Sequence, residues 1–193
     1  MKAVEHFRTI TEHKKLVGRY CFAVGLYKQG ILHDLSKYSP TEFFVGAKYF
    51  QGDRSPNNAE REKKGYSSSW LHHKGRNKHH FEYWIDYGKG GEGTVLVGMK
   101  MPVRYVVEMF LDRIAACKIY QKEEYTDASP KIYYEKGIKY HIMHPESQAL
   151  LEKLLNMLAN DGEEKTLRYI SHIIRQDKIT RLKNTFRSFF AKK

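Results

Sequence analysis

His33 and Asp34 sit side by side inside the mainly apolar run Leu32, His33, Asp34, Leu35, Ser36, Lys37. This pair restricts the fold more than any other feature of the chain. Both side chains carry strong polar groups, and burying them without partners is costly. A divalent metal ion removes the cost, because imidazole nitrogen and carboxylate oxygen are both ligands for first-row metals. Alone the pair is weak evidence. It gains weight from His13 upstream, from the cluster His72, His73, His79 and His80, and from Asp112 in a later helical run.

The chain of 193 residues suits a single domain over 1–193, with a motif core at about 5–120 and a helical extension at about 141–193. A hydrophobic content of 41% with 13% aromatic residues speaks for a packed core. No window approaches the roughly 20 apolar residues that a membrane span needs. The first residues read directly as helix with no apolar signal core, so a cytoplasmic location is the default expectation. Cys21 and Cys117 are the only cysteines, too few for a disulfide scaffold, and both are expected to pack in the core. The 34 Lys and Arg against 22 Asp and Glu leave a net charge of +12. That field favours anionic partners, with nucleic acid one of them, although the cations are spread without a polybasic block.

Helical spacing predicts an all-α fold. Val4, Phe7, Ile10, Leu16, Val17, Tyr20 and Val24 mark a first segment over 4–28, with Thr9 or Thr11 expected to cap a break within it. Ile31–Leu35 reads as a short buried helix, ended by Ser39-Pro40, with Ser39 or Thr41 capping the next helix. Residues 51–66 begin as loop and end as a charged helical turn, either an ordinary surface loop or a lid over a site. His73 and His80 face one side if the helix runs on, while Gly75 and Asn77 favour a break into two elements. Gly88, Lys89, Gly90 and Gly91 do not match a phosphate-cradling loop and read as a turn into a small hairpin or connector. Met101-Pro102 opens a strong helix carrying Asp112, whose plain reading is a pair with Arg113 or Arg104. Further helices start at Ser129-Pro130 and at Pro145, the latter closed by Gly162, and one or two more fill 164–190. The basic amphipathic end, Arg181 to Lys193 with Phe186, Phe189 and Phe190, is expected to pack back on the body, with membrane or nucleic-acid contact as the alternative.

In order, the candidate ligands form the pattern H…HD…H…HH…D, which resembles the HD-domain metal-dependent phosphohydrolase superfamily. His33 to Lys37 is similar to that superfamily's His-Asp, apolar, small, Lys run. The extra histidines resemble its two-metal variant, found in the cyclic-dinucleotide phosphodiesterase branch. The chain also resembles an uncharacterised bacterial and phage group that shares three segments: His33 to Lys37 followed by Ser39-Pro40-x-Glu42-Phe43, His73-x(5)-His79-His80-x-Glu82-Tyr83-Trp84, and Met101-Pro102 with Glu108-Met109 and Asp112. The resemblance implies an HD-like helical bundle with additional helices after it. It implies one metal on His13, His33, Asp34 and Asp112, with Asp34 bridging to a second on His73, His79 and His80. Asp34 and Lys37 take the catalytic positions, and Lys37 and Asn77 the substrate side. No GYP-type signature is present, so a cyclic dinucleotide is not the expected substrate.

Mixed His and carboxylate ligation suits one or two divalent ions of Fe, Mn, Co, Ni or Zn, with Fe or Mn favoured by the histidine-rich pair. The leading expectation is a metal-dependent phosphohydrolase acting on a nucleotide or other small phosphoester through metal-activated water. Two other classes compete: a di-iron oxygenase on the same scaffold, and a non-catalytic nucleic-acid or protein-binding helical module.

Overall fold

The computed structural model describes residues 2–90 and 93–190. Met1, Gly91, Glu92 and residues 191–193, which include part of the glycine-rich turn and of the basic end, lie outside the described residues. Among the described residues the fold is all-α: nine α-helices and one two-stranded hairpin.

Helix α1 (Lys2–Ala23) buries His6, Ile10, His13, Val17, Tyr20 and Cys21, a stripe at helical spacing. The break expected at Thr9 or Thr11 does not form. Thr9 Oγ1 donates to Glu5 O at 3.0 Å, and the Thr11 hydroxyl lies 3.1 Å from Tyr38 Oη. Each hydroxyl finds a partner without interrupting the helix, so neither has to act as a cap. Gly25, at φ +80, turns the chain into α2 (Tyr27–Leu32).

The short buried helix expected at Ile31–Leu35 is replaced by a different local structure. Helix α2 stops at Leu32, Asp34 adopts left-handed backbone (φ 53, ψ 24), and Leu35–Tyr38 forms one 3-10 turn. Aspartate is among the few residues that visit this region, and it ends a helix there. The turn reverses the usual order of burial. Leu32 and Leu35 are about half exposed, whereas His33 and Asp34 are 1% exposed.

Helix α3 (Pro40–Tyr49) follows, with Ser39 at the cap position in extended backbone and Pro40 in the first turn. The loop after α3 leads into α4 (Pro56–Lys64) and α5 (Ser68–Lys74), whose first turn is capped by Ser67 Oγ accepting from Trp70 N. A buried carboxylate joins these two helices: Glu60 accepts from Ser67 Oγ at 2.8 Å and Ser68 Oγ at 2.7 Å. Burial works to raise the Glu60 pKa, but hydrogen bonds from Ser68, Ser67 and Lys64 outweigh it and hold the group at about 2. Helix α5 ends at Lys74 and Phe81–Trp84 forms a 3-10 turn, so the histidine tract is broken into two elements. The glycine-rich stretch is a hairpin of β1 (Ile85–Gly90) and β2 (Gly93–Gly98), antiparallel, with Ile85 opposite Gly98.

Helix α6 (Val103–Gln121) is the central strut, followed by α7 (Ser129–Gly137), α8 (Pro145–Asp161) and α9 (Glu163–Phe190). Val107, Phe110, Leu111 and Ile114 of α6 are fully buried, as are Leu151, Leu154 and Leu158 of α8 and Ile170 of α9. They belong to one apolar cluster that also takes in Val17 and Cys21 of α1, so the motif core and the later helices share a single interior. At about 2 kcal/mol for each large apolar side chain, this cluster is the main source of cohesion.

The basic end of the chain departs from expectation. Helix α9 is in contact through Ile174 and through Lys178, which donates to Gly25 O at 2.6 Å, but residues 181–188 are exposed. They do not pack back on the body. The apolar residues Leu182 and Phe186 recur at a spacing that continues the buried stripe, but they are 60% and 63% exposed. Among the described residues no helix is long and apolar enough to cross a membrane.

Candidate metal centre

Four elements deliver the candidate ligands to one place. His13 comes from α1, His33 and Asp34 from the turn after α2, His73 from α5 with His79 and His80 just beyond it, and Asp112 from α6. Their ligand atoms form two groups, His13, His33, Asp34, Asp112 and Asp34, His73, His79, His80, each with all atoms within 4.8 Å of one another. Asp34 is common to both, and its two oxygens divide the work. Oδ2 lies 3.4 Å from His33 Nε2 and 3.7 Å from His13 Nε2, whereas Oδ1 lies 3.2 Å from His73 Nε2 and 3.4 Å from His79 Nε2. Asp112 Oδ1 is 2.8 Å from His13 Nε2 and 3.5 Å from His33 Nε2. It pairs with neither Arg113 nor Arg104 among the described residues.

These atoms fit a metal better than they fit one another. The Nε2 atoms of His13, His33, His73, His79 and His80, and both oxygens of Asp34, are buried without a hydrogen-bond partner. Lys37 Nζ stands 2.6 Å from Asp34 Oδ2 and Asp112 Oδ1 2.8 Å from His13 Nε2, but the Nε2 atoms of His33, His73, His79 and His80 crowd one carboxylate, an arrangement that a divalent cation would relieve. Ligands bound at about 2.1 Å stand roughly 3.0–3.4 Å apart around one ion; three of these six pairs fall in that range and the others lie at 2.8, 3.5 and 3.7 Å.

The outward-facing nitrogens explain why the lone pairs converge. Glu108 Oε1 lies 3.0 Å from His33 Nδ1 and 3.3 Å from His79 Nδ1. Glu42 Oε2 lies 2.7 Å from His73 Nδ1. A carboxylate only accepts, so Nδ1 of these three rings carries an N–H and Nε2 is the ring atom turned to the centre. Burial works to lower the pKa of His33 and His73, but Asp34 outweighs it and raises both. Burial opposes ionisation of Asp34, but His33, Lys37 and His73 outweigh it and hold the carboxyl well below the usual range. Asp112 is lowered in the same way, through His13 and His33. Burial, then His79 and His73, push the His80 ring well below its ordinary value, leaving it neutral, the form that binds metal.

A family model described as a family of unknown function, DUF5662, matches residues 2–157. The chain belongs to this family. No curated protein and no solved structure matches it. The DUF5662 match runs from α1 into α8 and so takes in every residue of both ligand groups, whereas α9 begins beyond it.

A cavity of about 510 Å³ opens onto the centre of this DUF5662 chain, a size suited to a small molecule. His13, His73, His80, Asp112 and Lys37 line it. The loop residues Asp53 and Arg54, with Pro56 and Asn57 of α4, form part of its wall, so the segment after α3 borders the site. Lys37 Nζ is 2.6 Å from Asp34 Oδ2. Cys117 also lines the cavity, and burial pushes its thiol up to about 11, which excludes a ready thiolate nucleophile.

Two sequence assignments change. Asn77 does not line the cavity. Its amide donates to Ser36 Oγ at 2.8 Å and to His73 O at 2.9 Å, so it holds scaffold rather than substrate. His72, one of four histidines among which the sequence left the choice open, turns away to Glu42 Oε1 at 2.6 Å and joins neither group. The supporting carboxylates Glu42 and Glu108 were not picked out by sequence reasoning. Their signals were there: Glu108 lies four residues before Asp112, on the same helix face, and both glutamates fall within the shared segments.

Proposed function

We propose that this chain is a metal-dependent phosphohydrolase acting on a nucleotide or other small phosphoester, with an HD-type centre of two divalent ions. The observation that carries the reading is the division of Asp34, one carboxylate oxygen facing each group of histidines, at the end of a cavity lined by Lys37. His13, His33, Asp34 and Asp112 would hold one ion, and Asp34, His73, His79 and His80 the other. Bound ions of this kind make hydroxide available near neutral pH and neutralise charge on phosphoryl oxygen.

The chain's own residues do the rest. Glu108 and Glu42 fix the imidazole rings so that their lone pairs point inward without reorganisation. Burial works against the charge on Lys37, but Asp34 and Asp112 keep it protonated, so a fixed cation faces the phosphoryl oxygens where negative charge grows. Trp70, Phe81, Met109 and Tyr120 line the cavity, limit water and cover the alcohol half of a substrate. The test is release of inorganic phosphate from a panel of nucleotides and small phosphomonoesters by protein loaded with Mn, Co or Fe. Turnover of at least one class is expected; none on any phosphoester, with stoichiometric metal bound, would sink the reading. Oxygen consumption by a reduced di-iron form would redirect it to oxygenase chemistry.

A further inference from the structure

The wall of the cavity beyond the metal ligands carries a second set of unsatisfied groups. Helix α6 presents Met109, Asp112, Arg113, Ala116, Cys117 and Tyr120 to the cavity, so the ligand Asp112 and its neighbour Arg113 open onto the same space. Arg113 has no ion pair with any described residue, and its Nε is buried without a hydrogen-bond partner. Its guanidinium carbon lies over the Tyr134 ring, 5.7 Å from the centroid. Glu82 and His141 line the same wall, and Glu82 Oε2 and His141 Nδ1 are likewise buried and unpartnered. Phe81 and Tyr134 hold the His141 ring in place at centroid distances of 4.7 and 5.2 Å.

A guanidinium Nε–H buried without an acceptor is disfavoured, and Glu82 on the same wall acts on the half-buried Arg113 only from beyond ion-pair distance. A ligand that completes this wall offers an anionic acceptor to Arg113 and a donor to Glu82, while the His141 nitrogen can take either role. We propose that this end of the cavity is a second recognition subsite. Arg113 holds a carboxylate or second phosphate on the alcohol half of the phosphoester, and Glu82 holds a hydroxyl beside it. The inference rests on the hydrolase reading and narrows its substrate to hydroxylated phosphoesters with a second anionic group.

Matched probes test it on the full chain loaded with Mn. One pair is glycerol phosphate, esterified at a terminal hydroxyl, and phosphoglycerate, which differs by a carboxylate in place of the free primary alcohol. The other is glucose phosphate and glucose bisphosphate, so the two arms separate carboxylate from phosphate. In at least one pair the doubly anionic member is expected to have the lower KM, by about tenfold, the range of one charged hydrogen-bonded contact. Arg113→Met brings that ratio close to one, and Arg113→Lys restores part of it, with metal content confirming that both variants fold. Equal KM values within both pairs, or a ratio untouched by Arg113→Met, overturn the subsite. Calorimetric titration of the metal-free protein with the same probes separates the two claims. Arg113-dependent binding without turnover keeps the subsite and overturns the hydrolase. Turnover without preference does the reverse, and neither binding nor turnover overturns both.

Discussion

On one side of α6, Glu108 and Asp112 face histidine rings; on the other, Phe110, Leu111 and Ile114 face α8 and α9. The same helix therefore divides two interiors of opposite kind. The apolar half is complete in itself: Leu151, Leu154, Leu155 and Leu158 fill it, and burial alone stabilises it. The polar half instead packs imidazole nitrogens and carboxylates against one another, several of them buried without a hydrogen-bond partner. If the polar half is the metal centre proposed above, the two halves should respond differently to mutation, metal and pH.

The sharpest way to break that contrast is Asp34→Asn, which keeps the shape and the left-handed turn but removes the shared charge. Metal content measured by elemental analysis should fall from two ions per chain towards one or none. Phosphoester turnover should drop by about a thousandfold or more. Unchanged metal and turnover would end the idea of a shared carboxylate. Leu155→Ala probes the other half: urea unfolding should show a loss of about 2–5 kcal/mol, with metal stoichiometry unaltered. Glu108→Gln comes next, because it loosens His33 and His79 without touching a ligand atom. Metal affinity by competition titration should weaken about 10–100-fold, and an affinity equal to wild type would show that Glu108 does not position the rings.

The smallest effect is in pH. His6 packs in the polar half against Phe43 and Phe50, over Gly46, and burial, then Lys37, lower its pKa to about 4. Its folded value lies below the unfolded one of 6.5, so the folded state binds fewer protons between them. The stability it contributes is fully present above pH 6.5 and is lost as pH falls towards 4. His6→Phe should reduce the pH slope of unfolding, measured in chelator, by up to about one proton in that window. An identical slope in both proteins would show that the ring titrates freely.

Much of the fold was legible because helical spacing and proline starts are local. Pro40, Pro130 and Pro145 open their helices, and Gly162 closes α8 where expected. The break at Thr9 or Thr11 failed because a threonine hydroxyl can be satisfied inside a helix, which spacing does not reveal. The exposed end of α9 failed for a different reason: an apolar stripe shows which face wants cover, not whether a neighbour reaches it. Leu32 and Leu35 misled in the same way, since their apolarity marked the run as buried while the turn at Asp34 sent them outward.

Sequence alone determined which residue types are available for a centre, since histidine and aspartate in this number and order are costly to bury for packing alone. Only the tertiary structure decided their roles. Whether an imidazole is a ligand depends on which of its nitrogens faces a carboxylate, and that is a matter of a few ångströms between α3, α5, α6 and the turn after α2. His72 and His73 are adjacent in sequence and both touch Glu42, yet only His73 turns its second nitrogen to Asp34. The direction in which a side chain leaves its helix separates these neighbours, because successive residues point about 100° apart and only one of them can face the interior.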